Sequence, residues 1–322
     1  MTYSSGSLIE ASDYNGFVSG TANANVNDIW SVGSGDKGYG ETAVSNVSVA
    51  STVTATNWAT LVNRLTTLGS QTGTTITSRA APTSGDLVSV LANVNTDLTN
   101  LTTNRGNAVA SGTQYVAWTG TSGKTGTTSG VNSTIVFTHT ITFASANAAR
   151  YFWNAGGIVK WQVGKSSTGN DGDPEWNDLA GTLSGSLFIT GRVNGQTANI
   201  AGTSYTGTTK SGGTGTPTTL ATTTGWYQLT TSNTTLYEQA ADSAPYTGNY
   251  IRLQAKTGNS GTTLDLTTTW NNTEGDTISG GTAPSGTSFG TCPATIVTYF
   301  PPSATYLTSA AWGTPTVAAT TT

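Results

Sequence analysis

Hydrophobic positions change their spacing near residue 110. Before that point, "TNWATLVNRLTTLG" sets Trp58, Leu61, Val62, Leu65 and Leu68 three and four residues apart. This is one face of a helix. Thr56 or Asn57 is expected to cap its start and Gly69 to stop it. Beyond a turn at "APTSG", Leu87, Leu91, Val94, Leu98 and Leu101 recur at 4-3-4-3. They predict a second helix over residues 84–105, with Asp86 in its first turn and Arg105 and Gly106 at its end. The stripe has two readings. It packs helix two on helix one as an αα-hairpin, or it is a coiled-coil seam, for which fewer than three heptads is short.

From about residue 113 the period falls to two. "STIVFTHTITF" alternates Ile135, Phe137, His139 and Ile141 against Thr and Val. In "GGIVKWQVGK" the apolar face is Val159, Trp161 and Val163, against Ile158, Lys160 and Gln162. "SGSLFITGRV", "GWYQLTT", "NYIRLQAK", "TTLDLTTTW" and "ATIVTYF" read as further short strands between Gly, Ser, Thr and Asn turns. "SANAARYFWNAGG" and "PEWNDLAG" are the helical exceptions, and the tail "TPTVAATTT" is expected to be a disordered or docking end.

The pattern predicts a mainly β protein, with a small N-terminal helical hairpin region followed by an antiparallel β-sandwich-like domain. Residues 1–55 form an irregular, Gly-rich docking segment ending in the alternating "AVSNVSVAST". Residues 56–110 form the two-helix region, and 111–322 the β-sandwich-like domain.

Only 9 % of residues are charged and 35 % are hydrophobic, a balance that alone would suit disorder. Nine Trp and twelve Tyr argue for order, because Trp58, Trp118, Trp153, Trp161, Trp226 and Trp270 each offer a large area to bury. Net charge is −4 and the twelve Lys and Arg are scattered singly, so no nucleic-acid footprint is expected. Cys292, the sole cysteine, is expected to be a small buried apolar residue. "MTYSSGSLIEASDYNG" has no signal-peptide character, and no apolar run predicts membrane insertion. The expectation is a chain made in a cytoplasm that stays soluble or joins an assembly.

Candidate chemistry is sparse. Gly33, Gly35 and Gly38 stand in G-x-G-x-x-G spacing around Lys37 in "NDIWSVGSGDKGYGET". A dinucleotide site needs a preceding strand, a following helix and an acid about twenty residues on. None is present, and the P-loop pattern is not met either. The expected role is a loop that turns tightly or meets another chain closely. His139, the only histidine, is expected to be a packed or surface residue rather than a base, and no nucleophile elbow accompanies it. Carboxylates alone can hydrolyse polysaccharide, but the acids here are mostly isolated. Their one cluster is Asp171, Asp173, Glu175 and Asp178 in "NDGDPEWND". A solvated turn is its favoured reading, a Ca²⁺ loop or a catalytic pair the minor ones. Trp153, Trp176, Trp226 and Trp270 stand beside amide residues. Exposed, they would stack on sugars; packing is the commoner use. No catalytic, cofactor-binding or metal-binding residue is assigned.

The blocks "YNGFVSG…NVNDIWSVGSGDKGYGET", "VTATNWATLVNRLTTLGSQTGT", "LVSVLANVNTDLTNLTTNRGNA" and "RYFWNAGGIVKW…WNDLAGTL…GWYQLT…LYEQ" cover most of the chain. In residues and order they resemble virion structural proteins of marine T4-like tailed bacteriophages of the cyanophage type. The resemblance implies a non-enzymatic place in a virion: a tail-associated or fibre-like appendage subunit docking by its N-terminal part. The alternatives are a neck or head decoration protein, or a receptor-binding module for host surface glycan. The implied partners are other virion proteins and further copies of the chain, a trimer being favoured. No cofactor is implied.

Overall fold

The computed structural model describes residues 10–85, 93–109, 116–117, 123–125, 134–165, 173–191, 197–244, 246–272, 293–302 and 304–321. Its N-terminal part is more ordered than the glycines suggest. Helix α1 (Ala11–Ser19) starts where the Glu10 N–H donates to the Asp13 carboxylate at 2.9 Å. Helix α2 (Val26–Trp30) starts at Asn25, whose side chain accepts from the Asp28 N–H at 2.9 Å. Residues 1–55 are therefore not wholly irregular. The alternating segment after them forms no strand. It buries every third residue, Glu41, Val44 and Val47. Two asparagines impose that repeat. Asn27 both donates to and accepts from the backbone of Val44, and Asn15 does the same to Val47, all at 2.8 Å.

Helix α3 (Ala55–Thr72) buries Trp58, Leu61, Val62, Leu65 and Leu68, as its spacing predicts. Its cap is Thr54, two to three residues ahead of the expected pair, with Asn57 as the reciprocal partner at 2.9 Å. Gly69 does not stop it; Gly73, at φ +64°, does. A Cβ at Gly69 would stand 3.0 Å from the Thr74 carbonyl, so this glycine lets the returning chain lie against the helix.

Helix α4 (Val94–Asn104) is shorter than the expected 84–105. Asn93 before it has φ +62°, which ends any helical run from upstream. Leu87 and Leu91 lie outside the described residues. Val94, Leu98 and Leu101 are buried in the same cluster as α3, so this half of the stripe packs as an αα-hairpin face.

Among the described residues, the β region forms two six-stranded antiparallel sheets. The strands are β1 (Val116–Ala117), β2 (Gly123–Thr125), β3 (Thr134–Thr142), β4 (Ile158–Lys165), β5 (Ser186–Ile189), β6 (Ala198–Ile200) and β7 (Thr203–Tyr205). Then follow β8 (Thr208–Ser211), β9 (Thr219–Leu220), β10 (Thr234–Ala240), β11 (Tyr250–Gly258), β12 (Thr263–Asn271), β13 (Pro293–Phe300) and β14 (Thr316–Thr321). One sheet has the order β1-β13-β4-β5-β8, with β2 also on β13. The other is β14-β3-β12-β11-β10-β9, and β6 with β7 forms a separate ladder. The long strands keep one register: Trp270 pairs with Ile135 on β3 and with Ile251 on β11.

The sheets face each other through aromatic and hydroxyl side chains. The Trp161 indole N–H donates to the Thr268 hydroxyl at 2.8 Å, fully buried. Trp161 meets Tyr237 edge-on at 5.7 Å. On β3, Ile135, Phe137, His139 and Ile141 all point inward, as the alternation predicts. Ile158 departs from its strand's pattern, because it is buried on the polar-set face. There it packs with Phe188 and Phe300 under Ala108, Ala198, Ile200 and Tyr205. A third layer thus covers that sheet's back, and a strand buried on both faces loses its alternation.

Two expected elements differ. "GWYQLTT" is not a strand; Trp226–Gln228 make a 3₁₀ turn. The tail is ordered, and β14 pairs with β3 along Thr316–Thr321. Helix α5 (Ala146–Asn154), capped by Ser145, and helix α6 (Asp173–Asn177), running into a π-helical turn at Asp178–Leu183, match the two helical exceptions. Cys292 and Trp118 lie outside the described residues. One hydrophobic cluster runs from Ala11 to Trp312, through both the helical and the β parts.

Candidate functional site

The glycine loop 31–41 is where the two parts of the chain meet. Its turns need glycine at two positions above all. Gly38 has φ +96°, and a Cβ there would stand 2.2 Å from the Val32 carbonyl. Gly40 has φ +80°, with the Tyr151 ring 2.6 Å from where its Cβ would be.

The loop's carbonyls face donors of its own chain. From α5, Arg150 donates to the Gly35 and Val32 carbonyls, both at 2.8 Å. One turn on, the Asn154 amide donates to Asp36 O at 3.0 Å and Gly38 O at 2.8 Å. The Tyr227 hydroxyl donates to the Asn154 side-chain oxygen at 2.8 Å and so fixes the amide's orientation. Burial raises the Tyr227 pKa well above its ordinary value, with the Asp36 charge acting the same way, so the phenol stays a donor. Arg105, just after α4, forms an ion pair with Asp36. The Tyr39 hydroxyl donates to the Arg105 carbonyl at 2.5 Å. The Ser309 N–H donates to the buried Glu41 carboxylate at 2.9 Å.

Lys37 forms an ion pair with Asp28. Burial alone would raise the Asp28 pKa, but hydrogen bonds from Lys37 and Ser34 outweigh it and hold the carboxyl below its ordinary value. Beside this pair lies a polar cleft of about 640 Å³, lined by Ser19, Asn23, Asn25, Asp28, Ser34 and Thr102 among others. A phosphate loop presents backbone N–H groups and an unpaired lysine. This loop offers carbonyls to cations and neutralises its lysine. A five-residue helix precedes it and a segment with neither helix nor strand follows, so its surroundings are not those of a dinucleotide site.

The remaining candidates are scattered. His139 is fully buried between the sheets, away from solvent. Trp153 stacks on Trp226 at 5.6 Å and Trp176 meets Trp270 at 5.7 Å, and all four are buried. No sugar can reach those rings in this fold. In the acidic cluster, Asp171 lies outside the described residues, and the described part, from Asp173 to Asp178, is helical. Glu175 is buried and accepts from the Ser243 hydroxyl at 2.6 Å. Burial raises its pKa, with the Asp242 and Asp178 charges adding to the rise. Among the described residues, no three His, Cys, Asp or Glu stand together so as to hold a metal ion.

Arg150, Asn154, Tyr227, Asn15 and Asn27 are the residues that assemble the junction. No local pattern marks them, because their partners are more than fifteen positions away. No family model, curated protein or solved structure matches the chain.

Proposed function

We propose that the chain is a non-enzymatic structural component of a tailed-phage virion, a tail-associated or fibre-like appendage subunit that docks through its N-terminal part. The observation that carries this reading is where the polar chemistry is spent. The only histidine lies inside the sandwich. Arg150, Asn154 and Arg105 hold the glycine loop, and Lys37 is paired. Such groups serve a rigid scaffold rather than a reacting centre. The direction of docking is supported by exposure: of the described large apolar residues standing open to solvent, Val32, Val49 and Ile296, two belong to segment 1–55.

The test is gold-labelled antibody against the chain on gradient-purified particles. Label on the tail supports the reading, and label at the neck or capsid moves the chain to the decoration role. Particles without the chain refute a virion place altogether.

A further inference from the structure

The cleft beside the Asp28–Lys37 pair has walls of one chemical kind. It lies between the α1–α2 connection, the start of the glycine loop and Thr102 on α4, and its volume of about 640 Å³ is that of a small-molecule site. Among the described residues that line it there is no aromatic ring and no aliphatic residue larger than alanine. Asp28 and Lys37 are the charged ones among them, and they neutralise each other. The rest are hydroxyl or amide residues, glycine or alanine. Its polar groups are held in place but not saturated. Asn25 accepts from the Asp28 N–H and donates to the Gly20 carbonyl, both at 2.9 Å. An amide has two donors and two acceptor sites, so one donor and one acceptor site are left over. The Asp28 carboxylate takes the Ser34 N–H at 2.8 Å and one Lys37 proton. A carboxylate has room for about four donors, and an ammonium has three protons to give. The Thr102 hydroxyl donates to the Leu98 carbonyl at 2.8 Å and keeps its lone pairs.

We propose that this cleft binds a neutral saccharide, two neighbouring hydroxyls of the sugar meeting the Asp28–Lys37 pair. The walls decide the class. With no aromatic ring and only alanine methyls on them, neither an aliphatic nor an aromatic ligand gains much from burial. An anion would meet the Asp28 charge and a cation the Lys37 charge, so an ionic ligand has no net attraction here. The lining suits a compact uncharged molecule that both donates and accepts at many points, which is a polyol. Asp28 sets an acceptor beside the donor of Lys37, and a pair of vicinal hydroxyls needs both. One donates to the carboxylate while its neighbour accepts from the ammonium. Such bonds select for the hydroxyls, because a sugar lacking one leaves its protein partner unmatched. Asn25 and Asp28 are already fixed by their own bonds, so binding orders little of the protein. No ring stacks on the sugar face, and the expected dissociation constant is roughly millimolar. The site stands on the cleft's own chemistry and holds or fails apart from a place in a virion.

The experiment is saturation-transfer NMR on the full chain, titrated with glucose, galactose, mannose and N-acetylglucosamine. A glucose phosphate ester and an uncharged serine–asparagine dipeptide serve as the charged and peptide probes. The variants are Ala22→Trp and Lys37→Met. Ala22 lines the cleft and is exposed, so an indole there fills the site without entering the core. Lys37→Met removes the ammonium donor. At least one sugar should bind saturably to wild type. Ala22→Trp should lose it and Lys37→Met should weaken it about tenfold, both with an unchanged circular dichroism spectrum. Should Ala22→Trp alter that spectrum, Lys37→Met decides alone. No saturable sugar up to tens of millimolar overturns the inference. So does sugar binding that either folded variant leaves unchanged, since its site then lies elsewhere. A phosphate ester that binds more tightly than glucose, or a dipeptide that binds where the sugars do not, overturns the ligand class. None of these results bears on particle labelling, which tests the virion reading by itself.

Discussion

Asn154→Ala removes the centre of the junction, and its cost can be worked from the structure. The amide is 4 % exposed, makes two donated bonds to the glycine loop and accepts one from Tyr227. Each lost bond costs about 1 kcal/mol, and a partner left buried without a replacement costs about 1–3 kcal/mol. The Gly38 carbonyl carries that larger penalty, because its site is fully buried. The bonds to Asp36 and Tyr227 are only part-buried, so water can replace them in part. The expected loss is about 3–5 kcal/mol. Tyr227→Phe removes one of these bonds and should cost about 1 kcal/mol. Asn154→Asp keeps the acceptor for Tyr227 but sets a carboxylate against two carbonyls, and should cost at least as much as alanine. The assay is urea unfolding followed by tryptophan fluorescence, with midpoint and slope compared between variants. One cluster joins the helical and β parts, so a single transition is expected. If Asn154→Ala costs no more than Tyr227→Phe, the loop is not held through this amide and the account of the junction fails.

Leu98→Asp buries a carboxylate at a fully enclosed position and is expected to unfold the chain; folded monomers from an oligomeric wild type would instead make the stripe an intermolecular seam. Glu175 has its folded pKa raised, so its ionisation opposes folding, and stability is lost as pH rises from the ordinary carboxyl value of 4.5 through the folded value. Glu175→Gln should therefore be more stable than wild type at neutral pH and no better at pH 3; a destabilised variant at pH 7 refutes the cause given. Asp28 has the opposite sign: its stabilisation is present above 3.8 and fades as pH falls through the lowered value, so Lys37→Met should flatten the acid limb of a stability–pH curve. Trp161→Phe leaves the Thr268 hydroxyl buried without the indole donor and should cost about 2–3 kcal/mol, less when Thr268→Val is already present. Equal costs in both backgrounds would show the two side chains to be uncoupled.

Local periodicity carried most of the architecture. The three-and-four spacing of α3 and the strict alternation of β3 report which side of each element is dry. That property repeats along the chain and is visible one element at a time. The helical exceptions at α5 and α6 were legible for the same reason. Where a tertiary contact replaces the local rule, the reading departs. Gly69 looked like a helix stop, yet the returning chain needs its missing Cβ. "AVSNVSVAST" alternates like a strand but is held at every third residue by Asn15 and Asn27. Ile158 sat on a polar set until the β6–β7 layer covered it.

Spacing and composition alone define a mainly β chain behind a helical pair, poor in charge, with its aromatics destined for burial. What the glycines of loop 31–41 are for emerges only from the folded chain. The carbonyls of Gly35 and Gly38 are bound by Arg150 and Asn154, more than a hundred positions away. Pairing over such a separation follows from how the two parts dock, and no spacing within the loop encodes it.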